Sequence, residues 1–194
     1  AVSVLISVYN GEQTLGDTLS SVFNQTFQDF KVIVINDAST DNSLTILKKW
    51  QSKFKPSRLT IINNQLNLGL TKSLNLGLTK CESKYIARID ADDTWSPNKL
   101  QLQIQFLEQN PTIGVIGSWY TNITRHSHRN FHLPITNSAI KRNIFRLNPF
   151  GHSCVVIKKQ LLDQCDGYNP AIKYSQDRDL WFRLIKKTNF HNLP

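Results

Sequence analysis

The sequence predicts an α/β fold: a mostly parallel central sheet with helices on both faces. The prediction rests on three observations. Short apolar runs alternate with stretches of helical spacing through the first 120 residues, the pattern of right-handed strand–helix–strand crossovers. The runs are continuously apolar, as in strands covered on both faces. At 194 residues, 40% hydrophobic and 19% charged, the chain suffices for one sizeable core or two very small ones, and is too apolar and too sparsely charged to be disordered throughout.

The first strand is Val2–Val8. Its apolar start lacks a basic leader and a small-residue cleavage site, so it reads as a buried strand and not a signal peptide. After Tyr9-Asn10-Gly11, the recurrence of Leu15, Leu19, Val22 and Phe23 predicts a helix. A second strand, Phe30–Ile35, runs into Asn36-Asp37-Ala38-Ser39-Thr40-Asp41. Leu44, Leu47 and Phe54 then mark a helix, with Ser39 or Thr40 as its cap and Asp41 near its dipole. Leu59–Ile62 is a third strand. The segment Leu66–Lys72 is repeated residue for residue at Leu74–Lys80, but two short copies cannot build a solenoid, and the repeat reads as a loop entering one helix. Tyr85–Ile89 is a fourth strand, and Ser96-Pro97 opens a helix to about Gln109, with Ser as cap and Pro in the first turn. Ile113–Tyr120 is a fifth strand.

The second half is less regular. Thr121–Asn130 reads as a mobile, basic surface loop. Asn137–Leu147 has helical spacing, Cys154–Ile157 is a short strand, Lys159–Cys165 a short helix, Gly167–Pro170 a turn, and Asp179–Lys187 a last amphipathic helix. Asn192-Leu193-Pro194 carries no stop signal, so further chain is expected.

Ligands of parallel sheets bind beyond the carboxyl ends of the strands. Asp37 and the Asp90-Ala91-Asp92-Asp93 cluster both directly follow apolar strands and should share that edge. Carboxylates so close together suit a hard divalent cation bridging to a diphosphate; an acidic turn opening the next helix is the alternative. Asp37 can accept from a base N–H or a ribose hydroxyl, or simply stand at a helix N-terminus.

Other classes lose support. No G-x-G-x-x-G follows the first strand, and neither a phosphate-binding P-loop nor a G-x-S-x-G elbow occurs. Cys81, Cys154 and Cys165 are odd in number and lack metal-ligand spacing, which argues against zinc or a disulfide framework and for a reducing compartment. His126 and His128 lie in a basic stretch that reads as a solvated loop. The formal charge of +9 favours anionic partners. Nucleic acid is not expected, since no aromatic-basic stripe or recognition helix appears. No apolar stretch approaches the roughly 18–20 residues of a membrane span. The expectation is a cytoplasmic protein, with peripheral contact to an anionic membrane face.

Taken in order, these motifs resemble the inverting glycosyltransferases of family 2, which have the GT-A fold. The likeness runs through Val2–Gly11, Ser20–Phe27, Val34–Asp41, Asn67–Leu70, Tyr85–Asp93 and Pro97, and more weakly through His152–Val156 and Gln176–Arg183. It implies one continuous GT-A domain, with residues 1–120 as a nucleotide-sugar-binding half and 121–194 as an acceptor-binding half. It further implies that Ser7, Tyr9, Asp37 and Asp90 hold the nucleotide, that Asp92 holds Mn²⁺ or Mg²⁺, and that Asp177 is the catalytic base. His152 and Gln176 become candidate acceptor or phosphate contacts, and Lys72, Arg88 and Arg183 are available for phosphate or for structural ion pairs. Asn36-Asp37 and Gln176-Asp177 stand where the family often has Asp-Asp and Glu-Asp; in both pairs the second Asp is kept. The implied donor is a nucleotide sugar, with UDP as its nucleotide, and the implied acceptor a glycan or lipid-linked saccharide of cell-surface polysaccharide synthesis. A binding module of the same fold without turnover is the alternative.

Overall fold

In the computed structural model, which describes residues 1–55 and 57–194, the first strands are β1 (Val2–Val8), β2 (Phe30–Asn36), β3 (Leu59–Asn63) and β4 (Tyr85–Arg88). They pair in parallel in the order β3-β2-β1-β4. Beyond them lie β5 (Ile113–Ser118), β8 (Val156–Lys158) and β9 (Asn189–Leu193), and the sheet continues β4-β8-β5-β9. β8 is antiparallel to both neighbours, whereas β9 is parallel to β5.

Both faces are covered, which is why β1 is apolar at successive positions. Val2, Val4, Ile6 and Val8 pack with α1 (Leu15–Phe23), α2 (Ser43–Gln51) and α4 (Lys99–Gln109). Leu5 belongs to the opposite layer, with α3 (Leu70–Leu78), α5 (Asn137–Asn143), α6 (Lys159–Asp163) and α7 (Gln176–Leu184). Among the described residues no helix is long and apolar enough to cross a membrane.

The structure corrects the sequence reading in several places. Thr121–Asn130 is not a plain loop: Tyr120–Ile123 (β6) and His128–Phe131 (β7) form an antiparallel hairpin, with Tyr120 stacked on Phe131 at 4.8 Å. Its side chains are largely exposed, so no buried face imposes an apolar alternation. β9 was not foreseen because Asn189, His191 and Asn192 interrupt its apolar pattern. α2 stops at Gln51, and Phe54 lies in the following turn, stacked on Phe23 at 4.0 Å. The caps also differ. Asn42 and Asn98 occupy the N-cap positions of α2 and α4, without side-chain cap bonds; before α2, Ser39 Oγ accepts from Asn10 N–H, and Asp41 accepts from both Glu12 N–H and Ser43 N–H. α7 begins three residues earlier than expected, which places Asp177 within its first turn.

Candidate active site

The parallel pairing of β2, β1 and β4 brings their carboxyl ends to one edge, as the two acidic clusters required. The loops after β1 and β2 are tied by backbone amides. Asn10 N–H donates to Ser39 Oγ (3.0 Å), Gly11 N–H to Ser43 Oγ (2.9 Å) and Glu12 N–H to Asp41 Oδ2 (2.9 Å). In return, Thr40 N–H donates to Asn10 Oδ1 (2.8 Å) and Asn42 N–H to Glu12 Oε2 (3.0 Å). Ser7 is half-buried at the end of β1, and Tyr9 is exposed beyond it. Asp37 is buried. Its Oδ1 accepts from Asn64 Nδ2 (2.7 Å) and Leu68 N–H (2.9 Å), and its Oδ2 from Gly69 N–H (2.9 Å), so the carboxylate organises the loop that leads into α3. Gly69 has φ +82°, a conformation glycine adopts without strain.

Three non-glycine residues in the left-handed region adjoin these positions: Asn10 (φ 53°) follows Tyr9, Ala38 (φ 58°) follows Asp37, and Ser175 (φ 59°) precedes Gln176. Such conformations cost free energy and persist where surrounding structure enforces them, commonly at functional sites.

Beyond β4, Asp90, Asp92 and Asp93 converge so that one ligand atom from each lies within 4.8 Å of the others. Partial desolvation, then the Asp90 and Asp92 charges, raise the Asp93 carboxyl above the ordinary range, against the lowering effect of its bond to Ser153. A trio of mutually repelling oxygen donors fits a hard divalent cation. Arg88, fully buried, makes a two-pronged ion pair with Asp90. Ser153 Oγ accepts from Asp90 N–H (2.9 Å) and donates to Asp90 Oδ2 (3.2 Å). Asp90 is thereby fixed from both sides, whereas Asp92 stays exposed. The trio opens into a cleft of about 620 Å³, whose walls include Trp95, Lys99, Ser118, Tyr120 and His152.

His152 shares a 2.9 Å hydrogen bond with the buried hydroxyl of Tyr168. Burial, with Arg88 nearby, pushes His152 well below its ordinary range, so the ring is a neutral hydrogen-bonding group. Asp177 is 8% exposed, and its Oδ2 accepts from Asn148 Nδ2 at 2.6 Å. Asn148 is oriented in turn by Trp181 Nε1, which donates to its Oδ1 (3.1 Å). Among the described residues no cation pairs with Asp177, while Asp179 is bound to Arg183 at 2.8 Å. Gln176 is buried beside Asp177.

Of the expected site residues, the cleft brings together Asp90, Asp92 and His152, with Asp93 added. Ser7, Tyr9, Asp37, Gln176 and Asp177 do not line it. Arg88 and Arg183 are engaged inside the protein, Arg183 donating to the Cys165 and Gly167 carbonyls as well as to Asp179, whereas Lys72 is exposed. Ser153, Asn148 and Tyr168 were not foreseen, since each acts through a partner more than ten residues away in sequence.

Comparison with known proteins completes the picture. The family model "Glycosyl transferase family 2" matches residues 3–165. The amylovoran biosynthesis glycosyltransferase AmsE of Erwinia amylovora is 32% identical, over 94% of this chain and 69% of that protein. The UDP-Glc:alpha-D-GlcNAc-diphosphoundecaprenol beta-1,3-glucosyltransferase WfgD of Escherichia coli is 27% identical, over 97% and 71%. Two solved structures share the fold. S. aureus TarS in complex with UDP superposes with a TM-score of 0.82 at 21% identity, over 99% of this chain and 57% of that one. The mannosyltransferase PcManGT of Pyrobaculum calidifontis, in complex with GDP-Man and Mn²⁺, gives 0.78 at 18% identity, over 100% and 54%. The chain thus spans just over half the length of these solved chains. With a model match over most of its length and a 32% identical relative on the same architecture, the chain belongs to glycosyl transferase family 2.

Proposed function

We propose that the protein transfers a sugar, with inversion, from a nucleotide-sugar donor to a glycan or lipid-linked acceptor in cell-surface polysaccharide synthesis. The observation that carries this reading is the convergence of Asp90, Asp92 and Asp93 at the end of β4, facing the cleft. Asp92, exposed like Asp93 beside it, would hold Mn²⁺ or Mg²⁺. A divalent ion there supplies neutralisation of the charge that develops on the departing diphosphate. Asp90, locked by Arg88 and Ser153, is directed to the nucleotide. Ser7, Tyr9 and the Asp37-ordered loop form the neighbourhood of the base. UDP is the favoured nucleotide, in keeping with the UDP bound by TarS. The diphosphoundecaprenol-linked acceptor of WfgD supports an acceptor of that class, and the charge of +9 is in keeping with peripheral contact to the cytoplasmic face of a membrane.

Asp177 takes the proton of the acceptor hydroxyl as the hydroxyl attacks the sugar carbon, and a single in-line displacement inverts that centre. It is better suited than Asp179, which is neutralised by Arg183. His152 and Gln176 supply neutral hydrogen bonds to the acceptor or to phosphate oxygens. Residues 1–120 hold the donor and 121–194 the acceptor.

Calorimetric titration with UDP, with and without Mn²⁺, tests the reading. Wild-type binding should depend on the metal, and Asp92→Asn should abolish the metal-dependent part. Unchanged metal dependence in a folded Asp92→Asn protein would remove Asp92 from the site.

A further inference from the structure

The cleft holds a second charged feature that the acidic trio does not explain. Lys99, the first residue of α4, lines the cleft yet is only 7% exposed. Its ammonium donates to Gln103 Oε1 (2.8 Å) and lies 4.0 Å from the centroid of the Trp95 ring. Among the described residues no carboxylate pairs with it. The Cys154 thiol, which lines the same cleft and acts on the Lys99 charge, is pushed upward by burial, so it stays protonated and supplies no counter-charge. Burial accordingly lowers Lys99 to about 7. A buried ammonium without a counter-charge is expensive to maintain, and a bound anion would supply what is missing.

We propose that this end of the cleft is a subsite for a carboxylate-bearing sugar, with the Lys99 ammonium as its ligand. The surroundings favour a sugar carboxylate over a phosphate. Lys99 is a single point charge without an arginine fork, and the nearby helix amides are already occupied: Lys99 N–H donates to the Ser96 carbonyl and Leu100 N–H to Gln25 Oε1. Ser118 and Cys154 add small polar groups, and Tyr120 adds an aromatic face suited to a sugar ring. The proposal rests on the reading of the cleft as a nucleotide-sugar site, and it extends that reading to the class of sugar accepted.

Affinity ratios test it in two arms. The donor arm compares UDP-glucuronate with UDP-glucose in the presence of Mn²⁺. The acceptor arm compares methyl glucuronide with methyl glucoside and contains no nucleotide. In one arm the wild type should prefer the carboxylate by about 10-fold or more, the scale of a charge-assisted hydrogen bond. Lys99→Gln should bring that ratio close to one, and so should Lys99→Met, which removes the charge without leaving a polar stump. The responding arm identifies whether donor or acceptor carries the carboxylate. A ratio near one in both arms, or a preference that survives in both variants, overturns the proposal. So does an equal loss of affinity for UDP itself, which would assign Lys99 to the diphosphate. Failure of UDP to bind with Mn²⁺ would refute the donor reading, while the nucleotide-free arm would still decide the subsite.

Discussion

Replacing Asp37 by alanine removes the acceptor for three donors at once: Asn64 Nδ2, Leu68 N–H and Gly69 N–H. Were all three to remain buried, each would cost about 1.5–3 kcal/mol as a lost bond to a charged group. Leu68 is exposed, so its amide can turn to water, and Gly69 N–H keeps Asn67 Oδ1 (3.1 Å) as an acceptor, whereas Asn64 is buried and its side-chain amide keeps only the bond to Ser73. The net loss is therefore about 2–4 kcal/mol, most of it from Asn64 and from release of the loop. For a chain of this size each kcal/mol shifts the melting temperature by about 2–4 °C. Asp37→Asn keeps one acceptor oxygen and should lose roughly half as much. Urea unfolding measures the total, and amide hydrogen exchange locates it: protection at Leu68 and Gly69 should fall in Asp37→Ala, while β1 and β2 remain protected. Undiminished protection of those two amides in the folded variant would refute the assignment of Asp37 as the anchor of this loop.

Two further perturbations follow from packing and charge. A Cβ on Gly117 would stand 2.6 Å from Phe150 Cδ1 and collide with Asn192 Oδ1. Gly117→Ala should therefore destabilise by about 1–3 kcal/mol, and unchanged urea stability would show that the ring yields freely. Lys99 is lowered to about 7 in the folded protein, against an unfolded value near 10.4. Between these values the unfolded chain binds more protons, so the Lys99 contribution raises stability with pH and penalises folding most below pH 7. The advantage of Lys99→Met over wild type should shrink from pH 6.5 to 8.5, approaching about 1.4 kcal/mol per pH unit; a constant difference would contradict it.

The parts of the molecule legible in the sequence are those buried on both faces. Val2–Val8 and Phe30–Ile35 are apolar at nearly every position because each face of β1 and β2 meets helices. Their parallel pairing follows from the intervening helix, and that pairing put Asp37 and Asp90 on one edge. The split between Asp177 and Asp179 was also legible, since helical spacing sends the first inward and sets the second four residues before Arg183. What escaped was of two kinds. β6, β7 and β9 carry Asn, Thr, His and Arg, and their pairing rests on backbone bonds that leave little apolar trace. The supports of the site act across long sequence separations: Ser153 reaches Asp90 over 63 residues and Asn148 reaches Asp177 over 29. Arg88 was visible as a cation next to the acidic cluster, but only its burial shows that it is committed to Asp90.

The most direct test of the account is donor turnover, read as UDP release, in Asp177→Asn and Asp179→Asn beside wild type, with donor binding measured on the same preparations. If Asp177 is the base, its loss lowers turnover by about 10²- to 10⁴-fold while donor affinity stays near that of wild type, and Asp179→Asn does much less. A dead Asp179→Asn enzyme alongside an active Asp177→Asn enzyme would contradict the account.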